Sequence, residues 1–482
     1  MAMKPKSQRQ QRRSEGGVAL FIAVFALLLI SVVALSLMVM AGTETAMNSN
    51  YKSSVQAFYD AKAGVEEARG RLWSGNPNAF GSFVIPTGTT MAVGQVRYVL
   101  NPASGESVNP TDMSASNPYA DRQYSSEWGS NPPTSAATTT SISTQAGVAG
   151  PLFKWVRITP RTEKSAGIDV NGDGVLDNAN PLFYDGSQQL LSSQIPANDN
   201  AYQVFELTAL AVTPEGSQRI VQYTAAPIIL NINFPSALTL DGPAPIYNAP
   251  SANPFGMNGN DRSGSNPMPG CTQPVQPAKL AVGVVNNADI ATAESNIPAS
   301  RLNHYLGSGT APSVGNVSSS LSSSEQTVSS LQALVGNITS VANNVLTGPV
   351  SGLTAAQLGS ASNPQITVVN GDLTLSGGNT GYGILVVTGQ LTFSGSNGWR
   401  GVILVIGQGS IQQSGGGNNE FDGAVLVAKT VNSSGQPLTT LGSPVVNWNG
   451  GGGNGVYYDS CWINNAASGL SYKILSFREI SQ

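Results

Sequence analysis

The chain has 482 residues, a net charge of −4 and 10% charged side chains, with 54 glycines and 29 prolines. That composition argues against a helical bundle and for a turn-rich β protein. Lys4, Lys6, Arg9, Arg12 and Arg13 stand against Glu15 in the first 17 residues, so the remainder is weakly acidic and lacks the basic patch that nucleic-acid binding needs.

Residues 18–43 carry no charge. A helix needs roughly 20 apolar residues to cross a bilayer, so this run is long enough. Basic residues precede it, which puts residues 1–17 in the cytoplasm and the rest of the chain outside. A secretory signal would have a shorter apolar core with a small-residue cleavage site after it. Here the small pair Gly16 and Gly17 comes before the run. The spacing predicts that the helix continues to residue 72. There is no proline, and Val55, Phe58, Tyr59, Val65, Ala68 and Leu72 recur mostly at helical steps. Trp73 to Pro77 then supplies turn chemistry.

Three stretches of this region carry a resemblance. They are Gly17-Val-Ala-Leu-Phe-Ile-Ala23, Thr43-Glu-Thr-Ala-Met-Asn-Ser-Asn-Tyr51 and Ala57-Phe-Tyr-Asp-Ala-Lys-Ala-Gly-Val-Glu-Glu-Ala68. Residues 15–72 resemble a type IV prepilin, and more narrowly the N-terminal module of the PilX family of minor pilins. The resemblance implies that a prepilin peptidase cuts the leader between Gly17 and Val18. It also implies a single-pass stay in the inner membrane, then packing of the helix among other pilin subunits in a fibre. The bulk of the chain would be periplasmic or extracellular. Major pilins carry a glutamate at the fifth mature position, thought to pair with a neighbour's terminal amine. Counted from Val18 that position is Ile22, which suits a low-copy subunit at the fibre tip. A plain signal anchor is the rival reading.

Alternating stretches at 94–100, 152–159, 202–212 and 218–224 predict antiparallel strands. Residues 101–151, rich in Ser, Thr, Asn, Pro and Gly, read as an irregular surface insertion. The sharpest chemical motif follows. Asp169, Asn171, Asp173, Gly174, Val175 and Asp177 have the spacing of an oxygen-donating calcium loop. Position 12 is Asn180, and no helical pattern brackets the loop, so an EF-hand is excluded. Ca²⁺ is the expected cofactor, held by Asp169, Asn171, Asp173, the Val175 carbonyl and Asp177 with a ligand from elsewhere. A turn stabilised by its own side chains is the alternative.

Residues 366–428 repeat. Val369, Val387 and Val405 are 18 residues apart, as are Leu375, Phe393 and Ile411, and Gly383 and Gly401 keep the same step. Units this short bury an apolar face only by stacking, which predicts a parallel β-solenoid. Residues 238–242 read as an earlier rung, and a helix near 317–346 as a cap on one open end. His304 has no partner motif, and Glu420 with Asp422 reads as a carboxylate pair or a solvated turn. Cys271 and Cys461 are candidates for one disulfide in an exported chain, with two separate buried thiols as the alternative.

The expected organisation is a leader at 1–17, a pilin helix at 18–72, a β-rich pilin-like domain at 73–230 and a β-solenoid domain at 231–482. The fold class is thus α+β followed by mainly β. The expected function is a minor pilin or pseudopilin-like subunit acting in assembly initiation and tip display, without catalysis. The alternatives are a membrane-anchored adhesin whose solenoid binds a glycan or surface, and a β-helix polysaccharide-active enzyme.

Overall fold

The computed structural model describes residues 15–72, 91–134, 136–142, 150–228, 230–250, 255–264, 271, 274–414, 417–448, 454–468 and 472–480. One helix, Glu15–Arg71, runs unbroken for 57 residues, about 85 Å at 1.5 Å per residue. Every residue from 18 to 43 is exposed. Ser31, Ser36, Thr43 and Thr45 donate their hydroxyls to carbonyls four residues back, so this half presents little free polarity. It is long and apolar enough to cross a membrane.

The other half of the helix is packed. Ala57, Ala61, Val65, Ala68 and Leu72 are buried at steps of four and three, against a six-stranded sheet. The strand order in that sheet is Ala137–Thr140, Arg97–Leu100, Phe153–Pro160, Phe205–Val212, Gln218–Pro227 and Tyr472–Ile480. All pairs are antiparallel except the first. Small residues let the helix backbone approach closely. A Cβ on Gly64 would lie 2.8 Å from Phe153 Cγ.

The opposite face of the sheet is covered as well. Strand Phe153–Pro160 is buried at every position, because the described part of residues 101–151 folds over it. Tyr124 and Trp128 of the short helix Arg122–Trp128 join Tyr98, Trp155, Leu210 and Ile220 in a second core. The described part of this insertion is therefore a packed layer, not an irregular surface excursion. Beneath it Arg157 is fully buried, with Asp121 and Glu127 as ion-pair partners.

From residue 236 the strands are mainly parallel. One sheet passes through Asn344–Thr347, Gln365–Asn370, Thr380–Val387, Gly398–Gly407, Asn419–Val431, Asn454–Tyr458, Phe255–Asn258 and Tyr305–Leu306. A second sheet passes through Val350–Ser351, Leu373–Gly377, Gln390–Gly395, Ser410–Ser414, Val445–Asn447 and Ile246–Asn248. Residues of both share one apolar core, and Phe393 meets Phe421 across it at 4.7 Å. Val369, Val387, Val405 and Val427 stand in register.

Three expectations need correction here. Phe393 is in register with Gln413, and Ile411 with Leu391, because the corner at Gly407–Gly409 is two residues longer than the one before it. Strand Ser236–Asp241 pairs with residues 425–428, so it follows the repeat in space instead of preceding it. Helix Val328–Thr339 lies across strands Gln365–Asn370, Gly398–Gly407 and Asn419–Val431. It covers a sheet face with Leu331, Leu334 and Ile338, not an end of the assembly. That cover explains the continuously apolar strands, which are buried on both sides.

The chain then returns. Tyr472–Ile480, expected with the second half, pairs antiparallel with Gln218–Pro227 in the first sheet.

Candidate functional site

Three places hold candidate functional residues. The first is the long helix. Gly17 and Val18 both lie within it, and Ile22 is exposed among apolar neighbours. Leu20, Phe21, Val24, Phe25 and Leu28 are likewise more than half exposed. An apolar surface of this size on one helix needs lipid or other helices around it. The helix is fastened to the sheet at its far end. Arg71 pairs with Glu67 at 2.8 Å and donates to the Thr140 carbonyl at 2.7 Å. Arg69 donates to the Tyr472 carbonyl at 2.7 Å.

The second place is the loop after the helical turn Glu163–Ala166. Asp169 accepts from the Gly172 and Gly174 amides at 2.7 and 2.8 Å. Asn171 accepts from the Asp173 amide at 3.0 Å, and Asp173 from the Val175 amide at 2.8 Å. These bonds gather Asp169, Asn171 and Asp173 into one turn. Hydrogen bonds from backbone amides, that of Gly174 first, hold the Asp169 carboxyl below its ordinary range. Asp177 is anchored through its backbone, its amide donating to Glu163 at 3.1 Å and its carbonyl accepting from the Lys164 amide at 3.0 Å. Glu163 is fully buried and also accepts from the Val170 amide at 2.9 Å, so one carboxylate staples both ends of the loop. The motif gave no hint of Glu163, which lies six residues upstream of it. Asn180 is exposed.

As a calcium site the loop offers the side-chain oxygens of Asp169, Asn171 and Asp173 and the Val175 carbonyl. A cation would share these oxygens with the loop's own amide donors. Among the described residues no group of three or more His, Cys, Asp or Glu side chains is arranged to hold a metal. Ile168, Val175 and Leu176 project from the loop, each about half exposed.

The third place is on the parallel sheets. Glu420 and Asp422 belong to strand Asn419–Val431, not to a solvated turn. As alternate residues they share a face. Arg400 of the adjacent strand and Arg262 of the inserted segment each pair with both of them. The Arg262 guanidinium also sits 4.3 Å from the Tyr457 ring centroid. Two acids thus meet two bases in a balanced cluster, and sequence gave no sign of Arg262 as a partner. His304 is engaged by the Phe255 carbonyl at 3.1 Å through Nδ1. Asp372 accepts from the Gln390 amide at 2.7 Å across a strand corner. Cys271 and Cys461 form a disulfide with Cα atoms 6.0 Å apart. It joins the inserted segment to helix Ser460–Ser468, whose Trp462 packs at a tilt against Tyr382, ring centroids 5.6 Å apart.

No protein-family model, curated protein or solved structure matches the chain.

Proposed function

We propose that this chain is a minor pilin or pseudopilin-like subunit of a type IV pilus-like fibre, acting in assembly initiation and display at the tip. One observation carries the reading. A single unbroken helix is bare and apolar over residues 18–43 and docked on its own β-sheet from residue 57 onward. A membrane anchor alone needs only the first part. The rigid continuation fits a subunit whose helix leaves the bilayer to pack among like helices while its β-rich body stays outside. The resemblance of residues 15–72 to the PilX family points the same way, and with it come cleavage after Gly17 and pilin partners along the helix. We read the two parallel sheets as a β-solenoid, supported by the 18-residue step and the register of its valines. On this reading the solenoid is the displayed part. Calcium at Asp169, Asn171, Asp173, the Val175 carbonyl and Asp177 belongs to the same proposal.

Ile22 needs no neighbouring amine, which suits a subunit that starts a fibre. The test is immunogold labelling of fibres, with mass spectrometry of the mature N-terminus. The expected result is label confined to one fibre end and a chain that begins at Val18. Label along the whole shaft overturns the tip placement. A chain that stays in the membrane, with its leader intact and no fibre, favours the anchored adhesin.

A further inference from the structure

Three short segments meet at the junction between the antiparallel sheet and the parallel sheets. Residues 231–233 link strand Gln218–Pro227 to strand Ser236–Asp241. They are gripped by residues 318–325, which contain the turns Ser318–Ser320 and Ser323–Glu325. Ser322 Oγ donates to the Asn231 carbonyl at 2.6 Å, and Asn233 Nδ2 to the Ser320 carbonyl at 2.6 Å. The Asn233 and Ser322 amides donate to Glu325 Oε2 at 3.0 and 2.8 Å. A loop of the first part joins in. Asn198 donates to the Ser319 carbonyl at 2.7 Å, and Asp199 accepts the Ser323 amide at 2.8 Å and the Ser323 hydroxyl.

The charged side chains in these contacts, Glu325 and Asp199, are both acidic, and the charge of Glu325 acts on Asp241. Glu325 is fully buried and Asp241 is 1% exposed. Glu325 Oε1 and Asp241 Oδ2 have no hydrogen-bond partner. Neither carboxylate has an ion-pair partner among the described residues, although strand Asn419–Val431 places Ala428 in register with Asp241 and Lys429 one residue further on. Two unpaired buried carboxylates are tolerated when neutral and strongly disfavoured when ionised.

We propose that the grip of residues 318–325 on residues 231–233 is a proton-dependent latch, closed while Asp241 and Glu325 are neutral and released when both ionise. Burial first, and then the charge of Glu325, push the Asp241 carboxyl up to about 8. Burial likewise lifts Glu325 to about 7, with Asp199 adding to the rise against the amides that lower it. Both folded values lie above the ordinary carboxylate range. The stabilisation they bring is therefore fully present below about pH 4 and falls away as pH rises through about 7 and about 8. The latch is independent of the fibre reading, since it concerns how the two halves of one chain are joined.

Hydrogen exchange on the detergent-solubilised full chain tests it, at about pH 5.5 and about pH 9, corrected for intrinsic rates. Protection of peptides spanning 230–235 and 319–326 should fall at least about tenfold at the higher pH, while strand Thr380–Val387 keeps its protection. Asp241→Asn and Glu325→Gln, each nearly isosteric, should each remove most of that pH dependence. Equal protection of the wild type at both pH values overturns the latch. So does a loss that persists in both variants. Protection retained at about pH 9 only when Ca²⁺ is added also overturns it, replacing the proton with a cation.

Discussion

Gly401→Ala is the most direct test of the parallel architecture. Gly383, Gly401 and Gly423 are in register, and Gly401 has a φ of +130°. An alanine there suffers twice. Its backbone is held where L side chains are strained, costing about 1–3 kcal/mol. Its Cβ would overlap the Gly383 carbonyl oxygen and lie 2.9 Å from the Ala466 Cβ. A backbone oxygen has no rotamer to move to, so overpacking adds about 1–3 kcal/mol. Together the loss is about 4 kcal/mol. Gly435 is the control, with a φ of +77° and nothing within 4 Å of a built Cβ. Gly435→Ala should cost only the backbone strain, about 1–2 kcal/mol. For a unit of this size 1 kcal/mol moves Tm by about 2–4 °C. Gly401→Ala should therefore melt on the order of 10 °C lower, and Gly435→Ala only about 2–8 °C lower. Intrinsic fluorescence reports the transition, because Trp399 and Trp448 are buried in this core. Equal shifts for the two variants would refute the claim that the glycines pack against one another.

Gly64→Ala should lower stability by about 1 kcal/mol even though alanine favours a helix by about that amount, because the new methyl meets Phe153 and Val156; a raised Tm would mean the helix is not seated as described. Cys461→Ser should cost about 2–4 kcal/mol by freeing a link across 190 residues, and non-reducing peptide mapping should recover a peptide containing both cysteines. Added Ca²⁺ should raise Tm through preferential binding to the folded chain, Asp173→Ala should abolish the rise, and an identical melt in chelator would leave the loop as a self-stabilised turn.

What could be read in sequence was local or periodic. The apolar run, the helical spacing of Val65, Ala68 and Leu72, and the 18-residue step each follow from a repeat a single segment displays. Alternation predicted strand Phe153–Pro160 but carried no sign that its Lys154 and Arg157 are buried. Their partners Glu106, Asp121 and Glu127 come from a segment with no periodicity of its own. Arg262 meets Asp422 across 160 residues, and Glu163 reaches the calcium-like loop from outside its motif. Such pairings depend on how distant segments come together, which no window of sequence encodes. The two-residue excess in the corner at Gly407–Gly409 was hidden because both spacings place an apolar residue inward.

Strands Gln218–Pro227 and Tyr472–Ile480 lie side by side, with Pro227 opposite Tyr472. Residues 228–471 leave from and return to the same end of this pair. A pull on that large body therefore reaches the sheet through two covalent tethers in parallel. Both strands are drawn lengthwise and in the same direction, so the bonds between them are little loaded and the force falls in shear on the bonds from Gln218–Pro227 to Phe205–Val212. The Gln218–Pro227 strand is braced by Phe205–Val212 on its other side, and the Tyr472 end is tied to the helix by Arg69. Tension applied to the parallel sheets thus passes along the sheet into the helix, and a cut in either tether leaves the other to carry it.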